Sequence, residues 1–232
     1  MGAEAFEQNT AAMSSPELLR KLRRRVIEID YKFCHRHAPT SLSALPIIAD
    51  IFETMNYKFG GESDAFVLSK GHSCAALYAC LEHFRGYSPD VSKVHPERAP
   101  WHGVTMTAGS LGHGLPFAVG MAHATRRIQG LAGIVHVLLG DGECLEGTTW
   151  EALHLARRLD LKHRLFVHVD ANLHQGADLL LDGAINRLDS IFPVQIHLSR
   201  IGDGVKFFED RPDETVHKIT DEEFAEIMEQ LK

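Results

Sequence analysis

Segments in which apolar residues recur with helical spacing alternate along this chain with short, continuously apolar runs. The first helix is predicted to begin at Pro16, because Ser15 is a favoured N-cap residue and proline suits the first helical turn. Apolar residues then follow every three or four positions from Leu18 to Phe33. Further helices are predicted over residues 43–56, 72–81 and 145–159. Another is predicted to follow the glycine-rich turn at residues 109–114, and the last to begin at the capping box formed by residues 220–223.

The continuously apolar runs have the length and composition of buried strands. Such runs are typical of parallel sheets, whose strands are covered on both faces. Because they alternate with helices, the sequence predicts an α/β fold: an open, mostly parallel sheet with helices on both faces. The predicted strands cover residues 65–68, 134–139, 165–169 and 194–198.

One domain is expected over residues 15–232, behind a flexible N-terminal segment at residues 1–14. Residues 86–110 are rich in proline, glycine and polar residues and are expected to form a long ordered loop. A loop of this length inside a compact domain usually serves a function.

Composition narrows the class of protein. The net charge of -7 argues against a nucleic-acid partner, and the one basic run, residues 20–25, is interpreted as a solvated helix face or a contact with an acidic partner. The N-terminus shows no secretory pattern and no apolar run reaches the length of a membrane span, so no membrane association is expected. The four cysteines have neither zinc spacing nor a disulfide framework, which favours a cytoplasmic location.

Two of the predicted strands end in polar residues that could hold a metal ion. Strand 134–139 runs into Gly140-Asp141-Gly142-Glu143, and Asn172 follows strand 165–169. Because neighbouring parallel strands end at one edge of the sheet, where ligands bind, Asp141 and Asn172 are expected to lie side by side. A carboxylate and an amide oxygen suit Mg²⁺, which takes its other ligands from phosphate and water. Alone, Gly-Asp-Gly is more often an ordinary strand-to-helix turn.

The Gly-Asp-Gly turn, the helix after it and Asn172 resemble the thiamine-diphosphate signature, and the flanking segments resemble transketolases. The segment from Gly140 to Ala152, which contains the turn and the first part of the following helix, is similar to the transketolase form of that signature. Four upstream segments also resemble transketolase motifs in the family's order, the first in degraded form: residues 37–44, 68–73, 95–97 and 107–114. The resemblance implies the diphosphate-binding (PP-type) fold and transfer of a two-carbon ketol unit from a ketose to an aldose, with sugar or sugar-phosphate substrates.

The same resemblance implies roles for particular residues. Imidazoles titrate near neutral pH and can move protons or bind a developing oxyanion. Catalytic roles are implied for His37, His72, His95 and His217. Cofactor contacts are implied for His72, Gly109, Ser110, Leu111, His113, Gly140, Asp141, Gly142, Glu143 and Asn172. The implied metal ligands are Asp141, Asn172 and the backbone carbonyl of His174.

The sequence departs from the family pattern at two places. Leu173 follows Asn172 where transketolases have glycine. A strand-helix segment with a Gly-His-Asp turn, which precedes the last strand in the family, is not found. The sheet is therefore expected to be trimmed at one edge.

The carboxylate that activates thiamine diphosphate in transketolases belongs to a second domain, which this sequence does not contain. The resemblance therefore implies the N-terminal subunit of a split transketolase. Such a subunit would be active only with a C-terminal subunit that carries the pyrimidine-binding domain, as an α2β2 heterotetramer. Glu146 is the implied interface residue.

Other functions stay open on the sequence. A relative of 1-deoxyxylulose-5-phosphate synthase or of the 2-oxoacid dehydrogenase alpha subunit would share the cofactor, and a non-catalytic binding protein could keep the fold. A nicotinamide-binding domain is disfavoured, because no GxGxxG follows the first strand.

Overall fold

The computed structural model describes residues 14–57, 63–128, 132–174 and 183–232. Of the predicted flexible N-terminus, residues 1–13 lie outside the described residues. The helices are α1 (Pro16–Phe33), α2 (Ala38–Thr54), α3 (Cys74–Arg85), α4 (Gly114–Arg127), α5 (Gly147–Arg158), α6 (Ala184–Ile191), α7 (Lys206–Glu209) and α8 (Asp221–Gln230). The strands are β1 (Ala65–Leu68), β2 (Val135–Gly140), β3 (Leu165–Ala171) and β4 (Val194–Leu198). Within these described residues, 3₁₀ turns cover Gly71–Ser73, Pro100–His102 and Asp141–Leu145.

The ends of the first and last helices follow from their capping residues. The Ser15 hydroxyl accepts the N–H of Leu18 at 3.2 Å, and Thr220 and Glu223 form the predicted capping box of α8. The predicted start of α2 was wrong, because α2 begins at Ala38 rather than near residue 43. Pro39 lies in its first turn, where a missing N–H costs no hydrogen bond.

The predicted parallel sheet is confirmed. In the described part of the chain it has four strands in the order β1-β2-β3-β4, and every neighbouring pair is parallel. Because the order follows the sequence, the carboxyl ends of β2 and β3 lie next to each other, with Gly140 opposite Asp170.

Helices cover both faces of this sheet, as predicted, and each face has its own hydrophobic core. On one face, α1, α2 and α3 pack with α7 and α8 over Phe66, Leu68 and Leu138. On the other face, α4, α5 and α6 pack over the alternate strand residues, among them Val67 and Val137. The connection from β1 to β2 therefore contributes α3 to one face and α4 to the other, and residues 86–113 link the two helices.

Three histidines form a hydrogen-bonded row across β2, β3 and β4. The Nδ1 of His136 lies 3.2 Å from the Nε2 of His168, whose Nδ1 lies 3.0 Å from the Nε2 of His197. Burial lowers the pKa of all three, that of His136 to about 4. The three imidazoles are therefore neutral at neutral pH, and in each contact the N–H of one ring donates to the unprotonated nitrogen of the next. The row was not predicted from the sequence, because strand pairing is needed to bring the three residues together.

No helix within the described ranges combines the length and the apolar character that crossing a membrane requires. All four cysteines are free thiols.

Candidate active site

A cavity of about 200 Å³ opens where β2 and β3 end. It collects ten of the site residues predicted from the sequence: His37, His72, His95, Leu111, Gly140, Asp141, Gly142, Glu143, Asn172 and His174. Thr40, Lys70, Ile201, Thr215 and Val216 complete its lining. The position agrees with the rule that open α/β sheets bind ligands beyond the carboxyl ends of their strands.

Asp141 presents an unpaired carboxylate oxygen at this cavity. Its Oδ1 accepts the N–H of Gly142 at 2.8 Å, whereas its Oδ2 is buried and has no hydrogen-bond partner among the described residues. Burial raises the pKa of the carboxyl. A buried, unpaired oxygen on a carboxylate is what a cation would satisfy, so the residue fits the metal-binding role.

Asn172 directly follows β3 and is held by two hydrogen bonds. Its Nδ2 donates to the Ser43 hydroxyl at 3.3 Å, and its Oδ1 accepts the N–H of His174 at 3.2 Å. Leu173 between them has a φ of 63°, which lies in the left-handed region. This conformation explains why glycine would suit the position, and it turns His174 back towards the cavity.

Glu143 lines the cavity, but its carboxylate is bound within the protein. It accepts the Ser69 hydroxyl at 2.5 Å and the N–H groups of Gly112 and Gly140 at 2.9 Å each. The carboxylate therefore ties the end of β2 to the segments after β1 and before α4. Burial raises its pKa, and these donors oppose that shift.

An ion pair that was not predicted from the sequence lies beneath the cavity. The Nζ of Lys70 donates to the Oδ2 of Asp170 at 2.5 Å and to the Ser43 hydroxyl at 3.2 Å, and both charged side chains are fully buried. Lys70 also lines the cavity, so a buried cation stands at its floor. The sequence contained a signal for each residue. Lys70 lies inside the 68–73 motif, and Asp170 places a charge at the end of an otherwise apolar strand.

Three of the four predicted catalytic histidines face one another. The ring centroid of His37 lies 5.6 Å from that of His72 and 6.5 Å from that of His95. Burial, with the nearby Lys70 cation, lowers the pKa of His72 to about 3, and burial also lowers that of His37. Both imidazoles are therefore neutral at neutral pH and can each donate one hydrogen bond and accept another.

The remaining predicted residues lie outside the cavity lining. His217 contacts Glu214 at 2.9 Å and Glu223 at 3.0 Å. Gly109 packs behind His95, where an added Cβ would lie 3.4 Å from the ring. Ser110 and His113 are exposed, and Glu146 is half-buried at the start of α5, beside the exposed Leu145.

The cavity offers few acidic side chains as ligands for a metal ion. The described ranges hold no group of three or more His, Cys, Asp or Glu side chains placed to bind a metal. The two further ligands implied by the sequence are the side-chain amide oxygen of Asn172 and the backbone carbonyl of His174, and both residues line the cavity with Asp141. Such a set suits an ion that takes its other oxygens from phosphate and water.

Residues 23–187 match a protein family described as the thiamine diphosphate binding domain of transketolase. This match covers well over half of the chain, and the chain belongs to that family. The predicted diphosphate-binding fold and transketolase relationship are thereby confirmed.

Similar proteins include named subunits of transketolases. The chain is 30% identical over 213 residues to one subunit of the apulose-4-phosphate transketolase of Actinobacillus succinogenes, covering 82% of this chain and 76% of that protein. It is 37% identical over 147 residues to one subunit of the 6-deoxy-6-sulfo-D-fructose transketolase of a Clostridium species, covering 58% of this chain and 50% of that protein.

Solved structures show the same fold. The transketolase from Leishmania mexicana superimposes with a TM-score of 0.69 at 24% identity, over 95% of this chain and 42% of that one. The chain thus spans less than half of that transketolase.

Proposed function

We propose that the chain is the diphosphate-binding subunit of a two-chain transketolase that transfers a two-carbon ketol unit from a ketose to an aldose acceptor. The observation that carries the proposal is the cavity at the ends of β2 and β3. It unites the unpaired carboxylate oxygen of Asp141 with Asn172 and three histidines, in a chain of the transketolase family.

Asp141, Asn172 and the carbonyl of His174 would hold Mg²⁺ together with the diphosphate of thiamine diphosphate. Lys70 supports this assignment, because its buried positive charge at the cavity floor attracts an anionic ligand. Gly112 keeps the turn before α4 close to this end of the cavity, since its N–H binds Glu143. When bound, the cofactor supplies the carbon nucleophile that takes up the two-carbon unit.

His37, His72 and His95 would handle the protons of the sugar. As neutral imidazoles, His37 and His72 can accept a proton from a donor hydroxyl, and the imidazolium formed in that step can then pass the proton to an acceptor carbonyl oxygen. Placing neutral rather than charged imidazoles beside a cation-binding site also avoids charge repulsion. His217 has no direct part in this proposal, because its two ring nitrogens contact Glu214 and Glu223 and it lies outside the cavity lining.

A second chain would complete the site. It would bring the pyrimidine-binding domain with the carboxylate that activates the cofactor, in an α2β2 heterotetramer of the cytoplasm. Glu146, at the start of α5 and beside the exposed Leu145, would contact that partner. The names of two relatives as transketolase subunits support this arrangement and support sugar or sugar-phosphate substrates.

Calorimetry and reconstitution test the proposal. The chain is titrated with thiamine diphosphate and Mg²⁺, alone and with the separately purified partner, and ketol transfer is then assayed. We expect cofactor binding that requires Mg²⁺, no turnover from the chain alone, and turnover from the mixture. Turnover by the single chain would contradict the two-chain proposal. No cofactor binding even with the partner would favour a non-catalytic protein that kept the fold.

A further inference from the structure

The connection between α1 and α2 presents His37 to the cavity through an unusual backbone. Cys34 and Arg36 have φ angles of 54° and 64°, in the left-handed region that residues with a Cβ adopt at a cost. His37 then occupies the N-cap position of α2 without making a side-chain capping bond. This short segment therefore needs support from elsewhere in the fold to hold one conformation.

Asp30, on α1, supplies that support. Its side chain is 1% exposed, and its Oδ2 accepts the backbone N–H of His37 at 2.9 Å. The N–H groups of Arg36 and Ala38 also lie near this carboxylate, where they favour its charged form and so lower its pKa. In a capping box the N3 side chain accepts the N–H of the N-cap residue, and Asp30 supplies this acceptor for α2 from the neighbouring helix α1.

The segment is held from its other side by the residues before α8. The backbone N–H of His217 donates to the carbonyl of Arg36 at 3.0 Å. The His217 ring is itself fixed between Glu214 and Glu223. The peptide group between Arg36 and His37 is thus held at both its carbonyl and its N–H, which fixes the backbone that carries the His37 side chain.

Ionisation of the Asp30 carboxyl costs folding stability at neutral pH, even though the carboxylate holds the start of α2. Burial raises the pKa of Asp30 to about 6, even though three backbone N–H groups favour the charged form. An apolar side chain would suit this buried face of α1, which also carries Val26 and Ile29. A buried charge that costs stability, next to a residue of the site, indicates a functional reason for its presence.

We infer that Asp30 is a positioning residue for His37, holding the backbone N–H groups at the start of α2 so that the imidazole keeps its place among His72 and His95. This inference rests on the proposed function in so far as His37 acts on the substrate. The role is specific to the backbone of residues 36–38 and does not involve contact between Asp30 and substrate.

Two variants of Asp30 and one matched control test the inference in the reconstituted complex. Asp30→Ala removes the acceptor, and we expect kcat to fall by about 10- to 100-fold with KM changed less than about 3-fold, as for a misplaced catalytic group. Asp30→Asn keeps an acceptor oxygen and is expected to restore most of this loss. Ser15→Ala removes the cap of α1 away from the cavity, and should lower the unfolding midpoint without changing kcat.

Hydrogen exchange on the chain alone separates this inference from the proposed function. In Asp30→Ala we expect the amides of residues 36–38 to lose protection and the NMR signals of the His37 ring to shift, whereas Ser15→Ala leaves both unchanged. Unchanged amides and ring signals in Asp30→Ala would overturn the inference, as would an equal loss of kcat in Ser15→Ala. If the wild-type complex were inactive, the proposed function would be wrong. Hydrogen exchange at residues 36–38 and the NMR signals of the His37 ring would still show whether Asp30 positions His37.

Discussion

Lys70 and Asp170 form an ion pair beneath the cavity, with Nζ and Oδ2 2.5 Å apart and side chains that are 2% and 0% exposed. Removing one partner of such a pair leaves the other charge buried without compensation, which typically costs about 3–5 kcal/mol. We therefore expect Lys70→Met to lower the free energy of unfolding by about this amount, as measured by urea denaturation. The double variant Lys70→Met/Asp170→Asn should recover much of the loss.

The exposed pair Lys206–Asp210 is the control for that experiment. Because water screens exposed charges, Lys206→Met should leave the urea midpoint close to that of the wild type. A double variant less stable than Lys70→Met alone would show that the pair is not the source of the effect.

Asp141→Ala should abolish binding of thiamine diphosphate and Mg²⁺ while sparing the fold. The substitution removes the buried oxygen Oδ2, which has no hydrogen-bond partner within the described residues, and it also breaks the 2.8 Å hydrogen bond from the Gly142 N–H to Oδ1. Calorimetry should detect no binding, and the free energy of unfolding should change by less than about 1 kcal/mol.

Glu143→Ala is the matched comparison, because the two carboxylates share one turn. Loss of the Glu143 carboxylate leaves the donors of Ser69, Gly112 and Gly140 without their acceptor, which should cost about 3 kcal/mol or more. Unaltered cofactor affinity in Asp141→Ala would refute the assignment of the metal site.

The row of His136, His168 and His197 should make the protein sensitive to acid. Histidines in the unfolded chain protonate near pH 6.5, whereas burial lowers the pKa of His136 to about 4 in the fold and lowers that of its two neighbours. Between these values the unfolded state binds more protons than the folded state, so stability is retained above pH 6.5 and falls as the pH decreases towards 4.

His168→Leu tests this dependence. At pH 7 it should be less stable than the wild type by about 1–3 kcal/mol, because two imidazoles lose a partner. The difference should shrink at pH 5, since one group with a lowered pKa has gone. His154→Leu, at an exposed position on α5, should leave the pH dependence unchanged. A difference between His168→Leu and wild type that is the same at both pH values would argue against the linkage.

Leu173→Gly should be tolerated or stabilising, although it replaces a large apolar residue. A left-handed φ costs a residue with a Cβ about 1–2 kcal/mol, while glycine adds about 0.5–1 kcal/mol of backbone entropy to the unfolded chain. We expect the free energy of unfolding to stay the same or to rise by up to about 1 kcal/mol, as measured by urea denaturation. Ala171→Gly, in the adjacent strand β3, should instead lower stability; equal losses in both variants would show that strain at Leu173 is negligible.

Much of the fold could be predicted from sequence because its signals are local. Ser15 and Thr220 mark helix starts by their capping chemistry, and the strands are continuous apolar runs. The short helices α6 and α7 were not predicted, since eight and four residues are too few for a clear apolar period. The start of α2 was misplaced because its N-cap residue, His37, makes no side-chain capping bond, so the sequence carries no capping signal there.

The site was predictable where topology alone brings residues together. Asp141 and Asn172 follow adjacent parallel strands, so their proximity needs no knowledge of packing. Lys70 and Asp170 are 100 residues apart in sequence, and Asp30 is buried in a helix that shows ordinary amphipathic spacing. Partners of this kind depend on how α1 and α2 pack over the sheet, which the sequence pattern does not specify.

The connection from β1 to β2 places α3 on one face of the sheet and α4 on the other, so its middle must go around an edge of the sheet. The same connection carries His95 and Leu111, and both reach the cavity at the carboxyl edge. Its length is therefore a geometric requirement of changing faces before it is a requirement of chemistry. Because the connection passes the carboxyl edge on its way between the two faces, it can contribute side chains to the site without an additional strand or helix.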